Sequence, residues 1–279
     1  MRFHLVSYAT AKYRHRQWFL AATAKVNGIV ASATSWTPAR LAASGFPTLA
    51  PDISLSERGS GFWAWKPFII LEALESLPEG ETVLYCDAGR KYPYILLDTL
   101  LDPFLSWLHQ HSQDIMPGIA IPWNGPMSVW TKHDAFVGTG VDGESCRRAT
   151  PIQASFSLWK NHEATREFVR EWLSWCVQRQ LVSDDPSIGV KAEAPNFKAH
   201  RHDQSLLNLC CHKHGIRGIS IGSSPPPYNE RDPSHILKHV FGVGPRTTAR
   251  GKAIALAARP IQAAEQALRE RITLGKSYE

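Results

Sequence analysis

The sequence predicts an α/β fold, a single domain on a mostly parallel, mixed sheet with helices on both faces. Three observations carry that expectation. Residues 3–7 read as a strand, 14–26 as a helix and 29–36 as a second strand, which is the spacing of a βαβ unit and a parallel pair. Pro67 opens a helical apolar stripe of Phe68, Leu71, Leu74 and Leu77, at a position where its missing N–H is tolerated. The run Thr82-Val83-Leu84-Tyr85-Cys86 is a short apolar strand that stops at Asp87. Open α/β sheets bind ligands just beyond the carboxyl ends of their strands.

The remaining elements follow in order. The first helix is expected to turn Trp18, Phe19, Ala22 and Val26 to one side. Pro78-Glu79-Gly80 ends the Pro67 helix, and 97–111 reads as another helix. Strands are expected at 118–123 and 151–159. Asn161 is placed to cap a helix over 162–180, with Phe168, Trp172, Trp175 and Cys176 on its apolar face. Residues 182–198 are polar and loop-like, 203–214 form a short helix ended by Gly215, and 216–221 form a last strand. Three prolines at 225–227 close the main domain, assigned to 1–227. The segment 228–279 is Ala/Arg-rich, basic and expected to be helical. Between 229 and 279 nine Lys/Arg face five Asp/Glu.

Composition bounds the function. With 279 residues, 43% hydrophobic and 20% charged, the chain can bury a sizeable core. A formal net charge of +6 favours anionic partners such as nucleoside diphosphates or lipid phosphates. The charge forms no long run, so nucleic acid is not expected. Five cysteines are scattered with no CxxC pair, which argues against a disulfide framework and for the reducing cytoplasm. No apolar leader or spanning window is present. Membrane contact is therefore expected to be peripheral, with the basic C-terminal segment on anionic headgroups at the inner face of the membrane. Tryptophan suits both sugar or base pockets and cores, and eight of the ten lie between 63 and 175.

Several residues are candidates for chemistry. Asp87 could bind a metal or a sugar hydroxyl, because a carboxylate ending an apolar run has little structural reason to be there. Arg58 and Lys66 flank a Gly-rich approach to a helix, where phosphate binds well; the alternative is plain surface charge. Trp63 and Trp65 either line a ligand or fasten the helix start, and Tyr8 is placed to stack on a base. Asp134 is either a base or a turn cap. Gln153 begins a strand, and Asp203, opening a helix, could be only an N-cap. Cys210, Cys211, His212 and His214 suggest zinc, but adjacent helical cysteines point about 100° apart and cannot share a tetrahedral ion.

Taken in order, Ser7-Tyr8-Ala9-Thr10, Arg58-Gly59-Ser60-Gly61-Phe62-Trp63-Ala64-Trp65-Lys66-Pro67, Leu84-Tyr85-Cys86-Asp87-Ala88-Gly89, Trp130-Thr131-Lys132-His133-Asp134-Ala135-Phe136, Gln153-Ala154-Ser155-Phe156 and His200-Arg201-His202-Asp203-Gln204-Ser205 resemble the bacterial polysaccharide-type glycosyltransferases of the GT-A fold, in the nucleotide-diphospho-sugar transferase superfamily. The resemblance spans roughly residues 3 to 240. It implies a Rossmann-like domain, a nucleotide-sugar donor such as a UDP-sugar, a glycan or lipid-linked acceptor, and a role in cell-surface polysaccharide synthesis. It implies donor contacts from Ser7, Tyr8, Thr10, Arg58, Trp63, Trp65, Lys66, Asp87, Gly89, Gln153 and Gln204, with Asp203 facing the donor sugar and Asp134 as a second catalytic carboxylate. It also implies Mn²⁺ or Mg²⁺ on a D-x-D motif. Here the chain departs, reading Asp87-Ala88-Gly89. One Asp is a poor site for a hard cation. Either His202 and His235 complete it with Asp87, drawing also on His200 and Asp203, or Arg58, Lys66 and Arg90 neutralise phosphate directly. Two other readings stay open: a metal-dependent phosphoesterase or nuclease on His200, His202 and Asp203, and an inactive carbohydrate- or nucleotide-binding protein.

Overall fold

The computed structural model describes residues 2–26, 28, 30–88, 101–188 and 192–220. Strand β1 (Phe3–Tyr8) passes through a 3₁₀ turn (Ala11–Tyr13) into α1 (Arg14–Val26) and then β2 (Ser32–Trp36). Short helices α2 (Pro38–Ala42) and α3 (Phe46–Leu49) lead to α4 (Trp65–Glu75) and β3 (Thr82–Cys86). The chain continues through α5 (Leu101–Gln110), β4 (Ile115–Met116), β5 (Ile119–Ala120), α6 (His133–Gly138), α7 (Glu144–Arg148), β6 (Ile152–Gln153) and β7 (Phe156–Lys160). It then forms α8 (Glu163–Cys176), α9 (Arg179–Val182), α10 (Asp203–Lys213) and β8 (Ile219–Ser220).

Five strands form a mixed sheet in the order β2-β1-β3-β7-β4. β1 runs parallel to both neighbours, as the βαβ spacing predicts, and β7 runs antiparallel to β3 and β4. A smaller sheet has the order β6-β5-β8. The period-two alternation of strands sorts the side chains into two cores. Val6, Tyr8, Val83, Tyr85 and Trp159 pack with Ile69 of α4, Trp172 of α8 and Leu206 of α10. Leu5, Leu84, Cys86 and Leu158 pack with Leu20 and Ala24 of α1 and Phe104 and Leu108 of α5. Helices therefore cover both faces of an α/β sheet.

Several boundaries differ from expectation. α1 turns Gln17, Leu20 and Ala24 inward and leaves Trp18 in solvent. Polar Gln17 holds an inward position because its amide donates to the carbonyls of Ser7 and Trp36, stitching helix to strands. The strand expected over 151–159 breaks at a turn, giving β6 and β7. Residues 118–123 keep only β5 before a 3₁₀ turn at Pro122. Asn161 does not cap α8. Its amide donates to the carbonyls of Leu77 and Pro78, tying down the loop after α4, while His162 takes the N-cap position. The helix expected over 162–180 divides into α8 and α9. All five cysteines are free and buried, consistent with the absence of a disulfide framework. Among the described residues no helix is long and apolar enough to cross a membrane. The segment 228–279, Gly89, Arg90 and His235 lie outside the described residues.

Candidate functional site

The site is assembled where β1 and β3 end. The residues between α3 and α4 first make a left-handed turn: Gly59, Ser60, Gly61, Phe62 and Trp63 have φ of 65, 56, 86, 56 and 57°. Each non-glycine residue in that region costs about 1–2 kcal/mol. Packing holds the turn. The Trp65 indole N–H donates to the Gly59 carbonyl at 2.9 Å, and the Trp65 ring stacks on Tyr8 with centroids 3.9 Å apart. The glycines are required twice over. A Cβ at Gly59 would meet the Trp63 ring at 2.4 Å, and one at Gly61 would meet Ile53 at 2.6 Å. Strain of this kind concentrates at functional sites. His202, which touches the turn, also has a left-handed φ of 54°.

From this turn α4 carries Lys66 into the interior. Its ammonium lies 2.7 Å from Asp203 Oδ2 and 3.9 Å from Asp87 Oδ1, and it donates to the Ala154 carbonyl at 3.0 Å. The Tyr85 hydroxyl, two residues before Asp87 and on the same face of β3, donates to Asp87 Oδ1 at 2.5 Å. The Asp87 amide donates to the Ser155 carbonyl. These four groups differ in exposure, and the difference assigns their work. The side chains of Lys66 and Asp203 are 6% and 5% exposed, whereas Asp87 is 34% exposed. Asp87 is the carboxylate that faces solvent; Asp203 reaches it only through Lys66.

The electrostatics agree. Burial would lower the Lys66 ammonium, but Asp203 and Asp87 outweigh it and raise it above its ordinary value. Burial pushes the Asp203 carboxyl up to about 6, with Lys66 pulling it down and Asp87 adding to the rise. Burial, then Asp87, holds the Tyr85 hydroxyl far above its usual range, so it remains a donor.

A cleft of about 620 Å³ opens over Asp87. Its walls include Tyr8, Thr10, Lys12, Tyr13, Arg58, Trp63 and Trp65. Glu57 also lines it, but is held by Arg179 at 2.8 Å. Arg58 lies at the rim, 3.5 Å from Asp184. Of the sequence candidates, Tyr8, Thr10, Arg58, Trp63, Trp65 and Asp87 thus converge on one cleft, with Lys66 and Asp203 beneath it. Ser7 is buried below, and its carbonyl accepts from Gln17. Gln153 closes β6, next to the turn that Lys66 and Asp87 hold. Gln204 is a clamp: its Oε1 accepts from the Ala154 amide at 3.3 Å, and Asn208 holds both backbone groups of Ile152.

Other candidates are placed elsewhere. Asp134 does not line the cleft. Its Oδ2 accepts from Gln180 at 2.6 Å and from the Ile188 amide at 2.8 Å, which is loop fastening. The His202 ring is 2.9 Å from Asp184 and is packed by Phe62 and Trp63. Burial lowers both His200 and His202 below the ordinary imidazole value. His202 is paired with Asp184 and Asp203 with Lys66, and neither Asp87 nor the trio His200, His202 and Asp203 belongs to a group of three metal-ligating side chains among the described residues. The cluster with metal-ligand spacing is instead Glu171, Cys210 and His214, on the seam of α8 and α10. There Glu171 is already paired with Lys213 and His214, and burial drives the Cys210 thiol far up. Cys210 and Cys211 are core residues.

The sequence reading passed over Tyr85, Lys12, Tyr13 and Asp184. Tyr85 was legible, since a strand residue two before a strand-terminal Asp shares its face. Lys12 and Tyr13 follow the end of β1 by a few residues and so share its ligand-binding end. Asp184 comes from an irregular segment with no periodicity to announce it. Comparison with protein-family models, curated proteins and solved structures finds no match for this chain.

Proposed function

We propose that the chain is a glycosyltransferase with a GT-A-like domain, moving a sugar from a nucleoside diphosphate sugar to a glycan or lipid-linked acceptor. One observation carries this reading. Asp87, ending a central strand, is the solvent-facing carboxylate of a cleft walled by aromatic rings and cations, and a buried Lys66–Asp203 pair supports it from below. Ligands in open α/β sheets bind at such strand ends, and the cleft volume lies in the range of small-molecule sites.

The roles follow from chemistry. The partly exposed rings of Tyr13 and Trp63 supply apolar faces for a base or sugar. Arg58 and Lys12 supply positive charge to the departing diphosphate, where negative charge develops. Asp87 accepts from hydroxyls of the donor sugar and fixes its orientation. Lys66 and Asp203 are positioning residues that hold the Asp87 carboxylate. A divalent cation would supply further charge neutralisation, but Asp87 belongs to no group of three metal-ligating side chains among the described residues, so no step is assigned to it.

The test is turnover of a panel of nucleoside diphosphate sugars, with and without Mn²⁺. Transfer or hydrolysis of at least one donor is expected. If none binds or reacts in any condition, the reading fails. Calorimetry with UDP and GDP separates it from the phosphoesterase reading, because a transferase binds at least one of them, and turnover separates it from an inactive nucleotide-binding protein. Phosphate-ester cleavage that needs His202 and survives loss of Lys66 would instead favour a hydrolase.

A further inference from the structure

Charge along the chain is segregated. The first 51 residues hold six Lys/Arg and no Asp or Glu. That matches the net charge of the whole chain, +6, so the remaining residues, basic tail included, are balanced. The acid-free stretch forms β1, α1, β2, α2 and α3, one flank of the sheet, since β2 is its edge strand.

Helix α1 concentrates this flank into a face. Its inward side is set by Gln17, Leu20 and Ala24. Arg14, Trp18 and Lys25 recur at four and eleven residues and so share one outward strip. Arg14, Trp18 and Lys25 are exposed, and Trp18 is 70% exposed. Tryptophan is among the most buried residues on average, and the seven other exposed or partly exposed positions described in α1 and its turn include no acid to make this a solvated ion-pair surface. An amphipathic ring standing alone on a convex helix, bracketed by cations about a turn or two away, is the arrangement that seats at a membrane–water interface.

We propose that the outer face of α1 lies on an anionic lipid surface, with Arg14 and Lys25 on the phosphates and the Trp18 indole inserted among the headgroups. The occupant is chosen by charge and shape. A single-stranded nucleic acid would also meet cations and a ring, but proteins that bind it track its backbone in a groove with successive stacking rings, and here one ring stands on a ridge. The surface is independent of the transferase reading. It nevertheless has a bearing on it: the turn leading into α1 supplies Lys12 and Tyr13 to the cleft, so a chain lying on α1 holds its cleft beside the bilayer, where a lipid-linked acceptor would be.

The experiment is cosedimentation of the full chain with vesicles of phosphatidylcholine alone or with about one-third phosphatidylglycerol, at ~0.1 M and ~0.5 M salt. Wild type is expected to bind the anionic vesicles, to leave them at the higher salt and to ignore the neutral ones. The triple variant Arg14→Gln, Trp18→Ser, Lys25→Gln is expected to bind about tenfold more weakly or worse. All three side chains are exposed, so its unfolding midpoint and any UDP or GDP binding should match wild type. With 5-fluorotryptophan, the ¹⁹F resonance removed by Trp18→Phe should be the one broadened by spin-labelled lipid. Equal binding by the triple variant would overturn the proposal, as would no binding by wild type, broadening of other resonances instead, or tighter binding to an oligonucleotide than to anionic vesicles.

Discussion

The two faces of the central sheet are made by the same three strands, yet they are built to different rules. On the α1/α5 face, Leu5, Leu84, Cys86 and Leu158 meet Leu20, Phe104 and Leu108, with Ser7, Gln17 and Thr82 as buried polar neighbours and no buried carboxylate on that face among the described residues. On the α4/α8/α10 face, the same strands present Tyr85 and Ser157, and the helices return Lys66 and Asp203 into the interior. A buried ion pair is weak evidence for stability, because desolvation offsets most of its Coulombic gain. An apolar alternative was available one residue away along each strand. The buried ion pair is therefore explained by what it holds at its edge, the Asp87 carboxylate, and the α1/α5 face by stability alone.

That contrast can be broken by substitution. Lys66→Met leaves Asp203 buried without its cation and should cost about 3–5 kcal/mol of stability, read by urea denaturation, and should also abolish donor turnover. Leu84→Ala on the opposite face should cost about 3 kcal/mol but leave turnover per folded molecule unchanged. If the two variants affect turnover alike, the division of labour between the faces is wrong.

Titration separates stability from function at one residue. The folded Asp203 carboxyl sits at about 6, above its ordinary 3.8, so the native state binds this proton more tightly than the unfolded chain. Its contribution to stability is full below 3.8 and is lost as pH rises through about 6. Function runs the other way. The charged Lys66–Asp203 pair exists only above about 6, so turnover should fall as pH drops through that value. Asp203→Asn should remove both slopes, which a pH series of melting temperature and of initial rate would reveal.

The smallest effect is expected at Asp134. It resembles Asp203 in sequence, a carboxylate near a helix start, but its oxygen is spent on Gln180 and the Ile188 amide. Asp134→Asn should cost about 1 kcal/mol with little change in rate, whereas a large rate loss at unchanged stability would restore it as a catalytic candidate.

The comparison of Asp134 with Asp203 also shows how far the sequence could be read. The α/β class, the βαβ start and the strand-terminal position of Asp87 were legible because periodicity and strand length report them directly. The wall of the cleft was legible in part, since Arg58, Trp63 and Lys66 flank glycines that only an unusual turn would need. Burial of Asp203 was not legible. It depends on Lys66 arriving from a helix 137 positions earlier in the chain, and a helix-start Asp looks the same whether it caps, binds or pairs. The inward Gln17 and outward Trp18 were also hidden, because two backbone carbonyls on separate strands reversed the side that hydrophobicity alone would choose.

The account rests on Asp87 as the group that meets the donor. The most direct test is the rate of donor-sugar transfer or hydrolysis by Asp87→Ala against wild type, with melting temperature measured on both. The prediction is a rate at least ~100-fold lower at a melting temperature close to wild type, because the side chain is partly exposed and ends its strand. An Asp87→Ala variant that turns over donor as fast as wild type would contradict the central claim.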